Sequence, residues 1–168
     1  MKLFLISMVF IFSASSVFAE NIDIIEVRKL YVEAFTDKNK CKEMNTLLSK
    51  VDEKAPLLLG YRASVTMMMA NFAFNPFSKL SLFKKGRQML EQAIALDKKD
   101  VELRTLRYLA QINTPSFLGY NLNIDSDREF ILNQTPKIKD AKSKEFVIGI
   151  LKQAKQLSAD EEKKLNWI

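Results

Sequence analysis

The chain has 168 residues, 26 Lys or Arg against 20 Asp or Glu for a net charge of +6, one cysteine and no histidine. Without histidine there is no Ser–His or Cys–His pair and no imidazole for a transition metal. A lone cysteine allows no internal disulfide.

Residues 1–19, MKLFLISMVFIFSASSVFA, have the three parts of a secretory leader. Lys2 gives the positive start, Leu3 to Phe12 a short apolar core, and Val17 and Ala19 the small residues read before cleavage. No cysteine stands at the cut, so the expectation is an unlipidated, exported chain, 20–168, folded as one helical domain. The periplasm is the expected compartment, with the extracellular space as the alternative.

Helical period follows almost everywhere. Ile24, Val27, Leu30, Tyr31, Ala34 and Phe35 form an apolar stripe, with Asp23, Glu26, Arg28, Lys29 and Glu33 on the other side. A second helix is expected over 38–51, where Cys41, Met44, Leu48 and Val51 share one buried face. Pro56 fits the first turn of a third helix running to about Phe74. Asn75-Pro76 marks a turn before a fourth helix over 77–96, and Asp100 caps a fifth that ends near Asn113. PSFLGYNLNI, 115–124, has no clean period and reads as an ordered loop pinned by Phe117, Leu118 and Tyr120. Helices over 125–134 and 142–157 follow, and Ser158 caps a last short one. Strand signals are weak, so the fold class is all-α, with about seven to eight helices stacked as antiparallel pairs.

The third helix is apolar on nearly all sides, through SVTMMMANFAF, and is expected to be central. Arg62, Ser64, Thr66 and Asn71 inside it argue against a stable membrane span. Its methionines read as core, with the wall of a cavity as the alternative.

GRQMLEQAIALDKKD places Gly86 and Ala93 at small positions and Leu90 at a large one, and LLLGYRA supplies Leu59-Gly60. In these residues the chain resembles a degenerate tetratricopeptide-like α-α superhelix over about 22–112, although no second copy keeps a period of about 34 residues. A loop at 114–124 and C-terminal helices at 125–168 complete the expected layout. LLLGYRA, MMMANFAFNPFSKL and VELRTLRYLAQINTPSFLGY also resemble an uncharacterised family of small exported bacterial proteins. That likeness implies export and a helical fold, and no activity.

No chemistry-bearing motif emerges. KKG at 84–86 lacks the spacing of a phosphate loop. Asn121, Asn123, Asp125 and Asp127 alternate like the start of a calcium loop, but no glycine follows at the sixth position and no glutamate at the twelfth. Glu33, Glu91, Glu102 and Glu129 read as solvated acids of amphipathic helices, so no catalytic residue, metal or cofactor is expected. The basic cluster Lys79, Lys84, Lys85 and Arg87, continued by Lys98 and Lys99, reads as the wet side of the fourth helix, with phosphate or anionic lipid as the alternative contact, and nucleic acid is not an expected partner. Arg104 and Arg107 alternate with leucines, which predicts a partly buried guanidinium paired with Asp125, Asp127 or the carbonyls of the PSFLGY loop, holding that loop.

The expected function is therefore non-catalytic. Stacked helix pairs present a concave surface for a protein or peptide, with Tyr61, Arg62, Asn75, Phe77, Phe117 and Tyr120 as candidate contacts. The alternative is a carrier of a hydrophobic small molecule, lined by Met67, Met68, Met69, Phe72, Phe74 and Phe77. A connected cavity of several hundred Å³ between the third, fourth and fifth helices distinguishes the two.

Overall fold

The structure, a computed structural model, describes residues 22–166; the expected leader lies outside them. Eight helices and no strand occur among the described residues. They are α1 (Ile24–Ala34), α2 (Lys38–Leu47), α3 (Pro56–Phe72), α4 (Pro76–Leu96), α5 (Val101–Ile112), α6 (Ile124–Gln134), α7 (Ala141–Gln153) and α8 (Ala159–Asn166). None is long and apolar enough to cross a membrane.

The starts are set by local chemistry. Asp23, Asp37, Asn75, Asp100 and Asp140 each accept hydrogen bonds from backbone N–H groups of the following turn, which otherwise have no partner. Pro56 and Pro76 sit in first turns, where a missing N–H does no harm. Ser158 and Glu161 cap α8 reciprocally: Glu161 N–H donates to Ser158 Oγ at 3.3 Å, and Ser158 N–H to the Glu161 carboxylate at 2.8 Å.

Two helices end earlier than their periodicity suggests. α2 stops at Leu47 and passes into a tighter 3-10 turn over Leu48–Lys50. α7 stops at Gln153 because Lys155 adopts a left-handed backbone, φ 54°. Gln156 N–H then reaches Leu151 O and Lys155 N–H reaches Lys152 O, both at 2.9 Å, the paired bonds of a helix end that normally carries glycine.

α3 lies at the centre, touching α1, α2, α4 and α5. Its all-round apolar surface is matched by burial of Leu59, Tyr61, Ala63, Val65 and Met68. Two glycines let its neighbours approach. A Cβ on Gly86 of α4 would lie 2.5 Å from Met67 Cγ and 2.7 Å from the Ala63 carbonyl oxygen. At Gly60 of α3, a Cβ would meet Leu103 Cδ2 at 2.2 Å, so α5 closes there as well. Cys41 and Met44 of α2, with Leu48 of the turn after it, complete the core. Burial pushes the Cys41 thiol up to about 11.

Candidate functional site

Three groups of side chains stand out above the packing, two of them polar and one apolar. In the first polar group, Glu102 of α5 is 2% exposed and receives two hydrogen bonds from Arg28 of α1, Nε to Oε1 at 3.0 Å and Nη2 to Oε2 at 2.7 Å. The Tyr61 hydroxyl donates to the same carboxylate, and Ser143 Oγ donates at 2.9 Å. Four helices, α1, α3, α5 and α7, thus meet at one carboxylate. Burial, then the Glu102 charge, pushes the Tyr61 hydroxyl well above its ordinary range, so it remains a neutral donor.

The second polar group sits between α4, α5, α6 and the loop. Arg107 holds Asp127 with Nε to Oδ2 at 2.7 Å and Nη2 to Oδ1 at 2.8 Å. Its Nη1 donates to Glu91 at 2.8 Å, and Glu91 also accepts from the Tyr120 hydroxyl at 2.8 Å. Arg104 forms an ion pair with Asp127 through a buried Nε that lacks hydrogen-bond alignment, and its guanidinium lies 4.7 Å from the Phe130 ring centre. Burial opposes the Arg107 charge, but the hydrogen bonds and charge of Asp127 outweigh it and raise the pKa. The expected arginine pair is therefore present with Asp127. Asp125 takes no part; it lies exposed in the first turn of α6.

These groups correct several readings. Arg28, expected on the wet side of α1, is buried. Glu102, expected in solvent, lies in the core, and half-buried Glu91 bonds the loop. Tyr61 and Tyr120, expected as surface contacts, are both buried with their hydroxyls committed to carboxylates. Arg62 is half-buried with one long bond to the Val51 carbonyl, and Asn75 is the cap of α4. Of the six contacts Asn75, Phe77 and Phe117 are exposed, and the two aromatics stand out most, at 86% and 85%. Phe117 thus does not pin the loop; Tyr120 does, with Phe83 at its ring edge and Arg87 4.9 Å from its ring centre. Among the described residues no cluster of His, Cys, Asp or Glu is arranged to hold a metal. Asp127, the buried acid of the calcium-like run, already faces two arginines.

The apolar group is a cleft of about 620 Å³. Met67 and Met68 of α3, Leu80 and Phe83 of α4, and Leu109 and Ala110 of α5 form its walls. Tyr31 of α1 and Phe35 at its C-terminal cap reach it from one side, and Phe117 and Leu118 of the loop from another. The cleft borders the close glycine contacts: α3 is held tight to α5 at Gly60, and Gly86 of α4 packs against Met67, which also lines the cleft. Buried Met68 and half-buried Met67 are thus both packing and wall, whereas Met69, Phe72, Phe74 and Phe77, also expected as wall, do not line the cleft.

The polar lining is largely tied up within its own helices. Ser64 Oγ donates to Gly60 O at 3.0 Å, Asn113 Nδ2 to Leu109 O at 2.8 Å, and Thr114 Oγ1 to Ala110 O at 2.7 Å. The Tyr31 hydroxyl is held neutral, chiefly by burial. The lining includes one cation, exposed Lys79. A smaller cavity of about 220 Å³ shares Phe35, Leu109 and Asn113 with it. Comparison of the chain with family models, curated proteins and solved structures finds no match.

Proposed function

We propose that the protein is an exported, non-catalytic carrier that holds a small hydrophobic molecule in the cleft between α3, α4 and α5. The cleft of about 620 Å³ carries this reading, because it lies where the sequence-based alternative required a connected cavity. Its size falls within the ~300–1,000 Å³ of small-molecule pockets. Its walls are apolar, and Lys79 offers a positive charge at the side for an acidic head group. A single-chain amphiphile fits that chemistry. Ten buried methylenes would contribute roughly 8 kcal/mol at about 0.8 kcal/mol each, before the cost of association.

Other observations support the surrounding claims. The close approaches at Gly60 and Gly86 fit a degenerate tetratricopeptide-like superhelix. The leader pattern of residues 1–19 supports export, most naturally to the periplasm. A non-catalytic role fits a chain without histidine whose buried acids, Glu102 and Asp127, are both bound by arginine. The reading as a protein or peptide module needed a six-residue surface, and burial of Tyr61 and Tyr120 removes two of its members.

Native mass spectrometry of the protein purified from its own host tests the proposal, together with titration by a fluorescent fatty-acid probe. One bound probe per chain, lost in Ala110→Trp while the thermal transition persists, is the expected result. Failure of the wild-type protein to bind the probe, with no retained mass, overturns it.

A further inference from the structure

The cleft mouth carries an unusual combination of exposed aromatics and unopposed positive charge. Phe74 and Phe77, at the turn from α3 to α4, are 102% and 86% exposed, and Phe117 across the cleft is comparably bare. Pro76, next to Phe77, lines the same cleft as Phe117, so both segments border one opening. Soluble surfaces rarely leave several large apolar side chains together without a use.

The charge around them is one-sided. No Asp or Glu occurs between Glu53 and Glu91, a stretch that includes Lys79, Lys84, Lys85 and Arg87. The facing segment 108–124 has no carboxylate either. Lys84 and Lys85 are exposed, and their spacing of seven and eight residues from Phe77 puts all three on one face of α4.

We propose that this end of the molecule docks on an anionic lipid surface, with Phe74, Phe77 and Phe117 entering the head-group layer and Lys84 and Lys85 facing lipid phosphates. The partner is a membrane because the aromatics project separately from a turn and a loop, whereas a folded protein partner calls for a continuous face. Isolated apolar tips backed by lysines suit a fluid interface of opposite charge. Docking here would place the cleft mouth against the bilayer, where an amphiphile can enter or leave without crossing water. That consequence rests on the carrier reading; the docking itself does not.

Flotation with vesicles of phosphatidylethanolamine containing about a quarter phosphatidylglycerol tests the surface, with pure phosphatidylcholine as the neutral comparison. The wild-type protein should float with the anionic vesicles. Phe74→Ser with Phe77→Ser, and separately Lys84→Glu with Lys85→Glu, should each lower partitioning on the order of tenfold. Lys98→Glu with Lys99→Glu, at the other end of α4, should change it less than about twofold, since a contact at the cleft mouth leaves that end beyond a Debye length. All six positions substituted in these double variants are exposed. Absence of wild-type flotation, as expected if the patch serves a protein instead, overturns the proposal. So does an equal loss in the Lys98/Lys99 variant, which would mean bulk charge alone. Ala110→Trp separates the two proposals: it should abolish probe binding yet float normally.

Discussion

Arg28 of α1 and Glu102 of α5, 74 residues apart in the chain, meet in a buried two-point ion pair that Tyr61 and Ser143 complete from α3 and α7. Such a pair contributes little net stability against apolar replacements, but removal of one partner strands a charge in the core. Glu102→Gln keeps the shape and an acceptor for Tyr61 while leaving Arg28 with only the exposed Asp140 carboxylate, 4.0 Å away. It should lower stability by about 3–5 kcal/mol. Arg28→Met combined with Glu102→Gln should recover part of that loss. Urea unfolding checks both, and equal stability of the wild type and Glu102→Gln would show that Arg28 escapes to water.

Arg107 joins the C-terminal helices to the loop, because one guanidinium holds Asp127 of α6 and the Glu91 carboxylate that anchors Tyr120. Arg107→Ala should cost about 3 kcal/mol, the lower end for a broken buried pair, since Arg104 still faces Asp127. The loop 114–124 should also become open to limited proteolysis near Phe117. A thermal transition unchanged from wild type would reject the anchoring role.

Two glycines should respond to alanine with opposite signs. At Gly86 the new Cβ meets the Ala63 carbonyl oxygen at 2.7 Å, and backbone cannot give way as a side-chain tip can. Overpacking should cost about 1–3 kcal/mol, more than the ~1 kcal/mol gained in helix propensity. At Gly149, exposed in the middle of α7, a Cβ meets nothing within 4 Å. Gly149→Ala should stabilise by about 0.5–1 kcal/mol. Stabilisation by both would mean that α3 and α4 are packed less closely than their glycine contact implies.

The helices were legible because their signals are local: Asp100 announces α5, Pro56 opens α3, and the all-round apolar pattern of α3 requires a central position. The Arg107–Asp127 pair was legible in part, since an arginine among leucines needs an acid. The choice between Asp125 and Asp127 depends on which face α6 turns inward, a tertiary fact. Glu102 was misread because an acid in the first turn of a helix has a sufficient local reason in the dipole. Its burial depends on Arg28 and Tyr61, far away in the chain. Tyr61 did carry a readable warning, as a tyrosine inside an all-apolar central helix must bury its hydroxyl against a partner. The cleft was foreseeable only as an alternative, because residue types specify walls and not the space that packed helices leave between them.

Cys41 gives the fold a dependence on alkaline pH. The thiol is fully buried against α3, with Sγ 4.0 Å from the Val65 carbonyl oxygen, and burial pushes its pKa up to about 11. The unfolded chain releases this proton near the ordinary value of about 8.5, so above that pH the unfolded state binds fewer protons than the native one. Stability is therefore intact below about pH 8.5, falls as pH rises, and levels off once the native thiol also ionises near 11. Buried tyrosines titrate in the same direction, so the comparison must be with Cys41→Ala across the same pH series. The wild-type protein should lose about 2 kcal/mol more than that variant between neutral pH and about pH 10. Parallel curves would mean that the thiol ionises in place, and a disulfide-exchange reagent should then label it at pH 8 without waiting for unfolding.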